Sequence, residues 1–145
     1  MKIAIITSNI KDGEKLRNVL KIFNGALGNI PCFTKEDLLC KSLELKECEY
    51  VFSTWYMPVF TKKEIGILFP SLRCIFYAAG TVKYFAEPFL EKGVRVFTAS
   101  YANGIPVAEF TVSQILLAGK GYFQAQRYYK WPIWHKGFNK ARGYA

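Results

Sequence analysis

Short β-branched runs alternate with helix-like stretches over residues 2–98, and that rhythm leaves few folds open. The runs are Lys2–Thr7, Ile30–Phe33, Tyr50–Thr54, Arg73–Tyr77 and Arg95–Thr98. Strand–helix alternation at this spacing predicts an α/β fold with a parallel sheet and helices on both faces. The first, third and fourth runs are apolar almost throughout. Such strands belong to a sheet covered on both sides. The expected arrangement is a flavodoxin-like parallel sheet with flanking helices.

The stretches between the runs carry helix punctuation. Asp12 is a candidate cap for a helix whose Leu16, Val19, Leu20 and Phe23 fall at helical spacing, with Gly25 and Gly28 ending it. Thr34-Lys-Glu-Asp37 and Thr61-Lys-Lys-Glu64 both read as capping boxes. The second should open a helix reaching Phe69, before Pro70. Val82–Lys92 has a helical pattern that Pro88 weakens and Gly93 closes.

The next predicted helix, from Pro106 to about Tyr122, differs in kind. Pro106 suits a first helical position, with Asn103 or Gly104 ahead of it. Its Val107, Phe110, Val112, Ile115 and Leu116 keep to no single stripe. A helix apolar on most sides needs neighbours on most sides. The segment Arg127–Ala145 has aromatics, Pro132 and two glycines without a period, and is expected to be loop or linker.

A chain of 145 residues is one domain on length alone. That length buries about two-thirds of the unfolded surface. Cys32, Cys40, Cys48 and Cys74 form no C-x-x-C pair and lie far from the single histidine, His135, so zinc spacing is absent and no metal site is expected. The first apolar run is too short for a secretory signal, and reduced, mostly buried thiols in a cytoplasmic protein are the expectation. No stretch approaches a membrane span. The net charge of +9 is uneven: residues 1–109 hold +3 and every acid, and the rest holds +6.

Two loops carry the strongest functional signal. Leu72-Arg-Cys-Ile-Phe-Tyr-Ala-Ala-Gly-Thr81 runs a strand into a small-residue turn. Val94–Thr98 is followed by Asn103-Gly-Ile-Pro-Val-Ala-Glu-Phe-Thr-Val-Ser113, which opens the apolar helix. In an open parallel sheet, ligands bind beyond the carboxyl ends of the strands, where both loops fall. A turn of small residues presents backbone N–H groups that can hold a carboxylate. The bland alternative is a tight turn whose small residues serve packing alone. Asn103 has two open roles, a polar contact to a ligand and a helix N-cap. Trp55, after the third strand, belongs to the same rim, either as a pocket wall or as strand-end packing.

This order of segments resembles the first half of a D-isomer-specific 2-hydroxyacid dehydrogenase. The likeness covers the whole chain coarsely and residues 70–117 in detail. It implies a substrate-binding domain over 1–102. A crossing helix and linker over 103–145 would lead to an NAD-binding domain that does not follow here. It also implies that Ala79 and Gly80 hold a substrate carboxylate through their amides, with Asn103 beside them, and that the intact enzyme uses NAD or NADP. In that family the catalytic histidine, its glutamate and a substrate-holding arginine follow the dinucleotide fingerprint, and no position here matches them. A family acid shortly after the loop glycine is also missing from Thr81-Val-Lys-Tyr-Phe85.

Other candidates are weaker. Gly119-Lys-Gly-Tyr-Phe-Gln124 starts like a G-x-G-x-x-G fingerprint but lacks the third glycine and a preceding strand. Glu109 is expected to serve the helix dipole or an interdomain contact. His135 lies in an acid-free segment and is expected to be an exposed loop residue. The basic aromatic segment from Arg127 to Lys136 has the composition for single-stranded nucleic acid, although an interdomain role is the simpler expectation.

The expected function is the substrate-binding portion of an NAD(P)-dependent oxidoreductase acting on a 2-hydroxy or 2-keto acid, inactive alone. Self-association as a dimer through 106–123 is expected as well. The alternative is a stand-alone flavodoxin-like module for small carboxylates or a protein partner.

Overall fold

The computed structural model describes residues 2–41 and 45–129. Five parallel strands form one sheet: β1 (Ile3–Ile6), β2 (Cys32–Phe33), β3 (Tyr50–Ser53), β4 (Cys74–Tyr77) and β5 (Arg95–Thr98), in the order β2-β1-β3-β4-β5. This is the flavodoxin-like order, with its topological switch between β1 and β3. The chain divides into two compact units, residues 1–101 and the segment from Ala102 onward.

Local chemistry sets most helix boundaries. Helix α1 (Ile10–Phe23) is capped by Asn9, whose side chain accepts from the Lys11 N–H. Asp12 lies inside the first turn and is not the cap. The chain then makes a 3-10 helix, Gly25–Asn29. Helix α2 (Lys35–Cys40) begins at a complete Thr34–Asp37 capping box and α3 (Lys62–Leu68) at a Thr61–Glu64 box, as the sequence predicts. Each cap contributes about 1 kcal/mol.

The helix expected over Val82–Lys92 shrinks to α4 (Glu87–Leu90). Pro88 falls in its first turn, where a missing N–H costs nothing, so the proline starts this helix rather than weakening it.

Helix α5 spans Ser100–Gly119, and Pro106 lies inside it. The N-cap role expected of Asn103 or Gly104 is therefore absent, because both already belong to the helix. Gly121, with φ +68, turns the chain into α6 (Tyr122–Tyr129). The loop expected from Arg127 is thus helical as far as Tyr129. His135 and the rest of the basic aromatic segment lie outside the described residues.

The two sheet faces are unequally covered. On one face Ala4, Ile6, Val51, Ile75 and Tyr77 join Phe60, Phe85 and Phe89 in a single buried core. On the other, α1 packs closely over β1 and β2. A methyl group at Gly13 would collide with Cys32 Sγ and sit 2.9 Å from Thr7 Cγ2. Over β3, β4 and β5, residues 1–101 leave that face less covered. In-register pairing aligns Phe52, Phe76 and Phe97 across the three strands. Their rings stack at centroid distances of 5.2 and 5.3 Å. Phe76 and Phe97 remain exposed. Helices thus flank the sheet on both faces, as expected, with the fuller cover on the Phe60–Phe89 side.

Candidate functional site at the carboxyl edge of the sheet

Three loops and one strand end meet at this edge. Ser53, fully buried at the end of β3, donates its hydroxyl proton to the Ile6 carbonyl at 2.6 Å. That bond ties β1 to β3 at the switch point. Above it, the Ser8 N–H donates to the Tyr56 carbonyl at 3.1 Å. Tyr56 holds a φ of +65, a conformation that non-glycine residues rarely adopt. The turn leaves Trp55 half exposed on the rim. Trp55 and Thr54 border an open depression of about 360 Å³ whose far wall is Asp12, Lys15, Leu16 and Val19 of α1.

The loop after β4 is held by its carbonyls. The Ala78 N–H donates to the Ser53 carbonyl at 2.8 Å. Thr98, at the end of β5, directs its single hydroxyl proton at the carbonyls of Ala79 (2.8 Å) and Gly80 (2.6 Å). The opposite polarity is left over: among the described residues, the N–H groups of Ala79 and Gly80 have no acceptor. Ala79 is completely buried, and orphaned buried N–H groups are rare in folded proteins. Two adjacent unpaired donors in a small-residue turn fit an anion's oxygens.

Tyr77 supports this loop from below. Its hydroxyl lies 3.1 Å from that of Tyr84. Burial first, and the Tyr84 hydroxyl second, push the Tyr77 phenol far above its usual range, so it stays neutral. Neither Thr98 nor the tyrosine pair stood out in the sequence. A threonine ending a strand and two tyrosines in apolar surroundings carry no motif.

The sequence-predicted residues separate into two groups. Ala79, Gly80 and Trp55 lie at the carboxyl edge within residues 1–101. Asn103 belongs to the unit beginning at Ala102, in the first turn of α5. Glu109 is exposed on α5, its carbonyl accepting from the Ser113 hydroxyl at 2.7 Å. Gly119 ends α5 and Gly121 precedes α6. A dinucleotide loop needs a strand before it, so these residues do not fit a nucleotide. The thiols vary in setting: Cys48 and Cys74 are buried, Cys32 is half-buried and Cys40 is exposed. Burial pushes the Cys48 thiol up to about 11, so it is inert near neutrality.

No protein-family model matches the chain. No curated protein matches it either. Solved structures do match. The NAD-dependent formate dehydrogenase of Staphylococcus aureus, in complex with NAD, superposes over 92% of this chain and 42% of its own, with TM-score 0.58 and 19% identity. The D-lactate dehydrogenase of Aquifex aeolicus, with NAD and lactic acid, matches over 89% and 37%, with TM-score 0.57 and 19% identity. The apo D-lactate dehydrogenase of Escherichia coli matches over 88% and 40%, with TM-score 0.51 and 14% identity. The chain therefore shares a fold with part of these enzymes and spans about two-fifths of their length.

Proposed function

We propose that this chain is the substrate-binding portion of an NAD(P)-dependent oxidoreductase acting on the CH–OH group of a 2-hydroxy acid or the matching 2-keto acid. The observation that carries this reading is the pair of unpaired amides at Ala79 and Gly80, held in place by the Thr98 hydroxyl. They would bind the substrate carboxylate, with Trp55 walling one side of the adjoining depression. Asn103 is assigned a polar contact to substrate on the family resemblance alone. The dehydrogenase likeness of the fold and the family resemblance of residues 70–117 point the same way.

In this reading residues 1–102 are the substrate domain, and 103–145 lead to a nucleotide domain that holds NAD or NADP. The described residues supply no dinucleotide cradle and no catalytic acid–base pair, so the chain alone is inactive. The exposed apolar residues of the 106–123 segment would make the chain self-associate.

Titration of isotope-labelled protein with pyruvate tests the site. The amide signals of Ala79 and Gly80 should shift together and saturate, and Thr98→Val should weaken that binding about tenfold, the loss of one positioning hydrogen bond. Unmoved amides at any soluble pyruvate concentration would remove the reading. NADH-dependent reduction of pyruvate by the purified chain would remove its claim of inactivity.

A further inference from the structure

Beside the Ala79–Gly80 turn, the depression between Trp55 and α1 is made entirely by residues 1–101. Leu16 and Val19 of α1 form one wall, and Trp55 and Ala78 the other. Its volume of about 360 Å³ lies at the small end of ligand pockets, roughly 300–1,000 Å³. Pyruvate, whose side chain is only a methyl, would leave most of that space empty.

We infer that this depression receives the side chain of the bound acid, and that the preferred substrates are 2-keto or 2-hydroxy acids with a branched apolar side chain and no second carboxylate. This deepens, and rests on, the carboxylate role of Ala79 and Gly80. Three observations carry it. The first is adjacency. The Ala79 nitrogen is bonded to the carbonyl carbon of Ala78, which itself lines the depression. An acid held by the Ala79 N–H therefore has its remaining atoms next to that wall. The Ala78 N–H, donating to the Ser53 carbonyl at 2.8 Å, fixes the junction.

The second is apolar surface. Val19 and Trp55 each leave about half their area exposed. An apolar ligand group that covers such surface gains affinity by removing both from water. The third is charge. Lys15 Nζ lies 3.0 Å from Asp12 Oδ1, and both residues line the depression. The pair leaves the wall without net charge. A second carboxylate on the ligand would compete with Asp12 for Lys15 and would be repelled by the Asp12 carboxylate itself. Asp12 is thereby a specificity-determining residue, acting through Lys15.

Titration of the isotope-labelled full chain with pyruvate, 2-ketoisocaproate and 2-ketoglutarate tests the inference. 2-Ketoisocaproate should move the Ala79 and Gly80 amides together with the Trp55 indole signal, at a Kd about tenfold below that of pyruvate. 2-Ketoglutarate should bind more weakly than 2-ketoisocaproate. Val19→Ser and Trp55→Ala should each erase the preference for 2-ketoisocaproate over pyruvate, with circular dichroism checking the fold. Asp12→Asn should strengthen 2-ketoglutarate binding about threefold, as expected for freeing one exposed charge. Equal affinity for pyruvate and 2-ketoisocaproate, or a preference that survives both variants, would overturn the apolar subsite and leave the carboxylate role of Ala79 and Gly80 standing. So would 2-ketoglutarate as the tightest ligand. Unchanged 2-ketoglutarate binding by Asp12→Asn would overturn the part given to Asp12. Amides that no acid moves would remove the carboxylate role itself, and this inference with it.

Discussion

The two faces of the sheet use the same residue type to opposite effect. On the covered face Phe60, Phe69 and Phe89 meet edge to face at 5.4 and 6.0 Å, buried under α3 and α4. On the open face Phe52, Phe76 and Phe97 stack nearly parallel, with Phe76 and Phe97 inclined by 12°. The covered rings come from a loop and two helix ends and so approach at many angles. The open rings come from adjacent strands in register, and strand spacing alone sets them face to face. One set belongs to the buried core, and the other leaves Phe76 and Phe97 exposed.

That contrast can be broken at several points, in order of expected effect. Phe89→Ala should destabilise the chain by about 3–5 kcal/mol in denaturant unfolding; a loss below that of Phe97→Ala would mean the faces are misassigned. Gly13→Ala should cost about 1–3 kcal/mol by overpacking, because α1 sits against Cys32 and Thr7; an unchanged midpoint would show that α1 has room to move. Ser53→Ala should cost about 1–3 kcal/mol by leaving the Ile6 carbonyl without its side-chain donor, and should broaden the amide signals of the β1 and β3 loops. Phe97→Glu should change the unfolding of the monomer by only about 0.5 kcal/mol, and that small value set against Phe89→Ala is the sharpest form of the comparison.

A pH effect belongs at the small end. The Thr61 backbone N–H first, and then Lys35, hold the Glu64 carboxyl below its ordinary value of 4.5. Its contribution is therefore present above that value and fades as pH falls through the lower folded one. Glu64→Gln should flatten this part of the acid limb. An unaltered pH profile would show that the capping box does not depend on the charge.

Much of the candidate site was legible because its chemistry is local. A small-residue turn after an apolar strand marks Ala79 and Gly80, and their place at the carboxyl edge follows from strand–helix alternation. Both capping boxes were legible for the same reason, since their partners lie three residues apart. Thr98 was not, because its role depends on pairing β4 with β5, which brings it beside carbonyls 18 and 19 residues away in sequence. The start of α5 was misplaced because Pro106 suits a first turn, yet Ser100–Ile105 continues the helix ahead of it.

The sequence by itself determined the α/β rhythm, the capped helices and the small-residue loop, since each rests on contacts within a few residues. Only the tertiary structure decided which face of β3–β5 carries the buried core and which hydroxyl anchors the loop. Both depend on register and on the reach of helices across strands, which the order of residues along one strand does not encode.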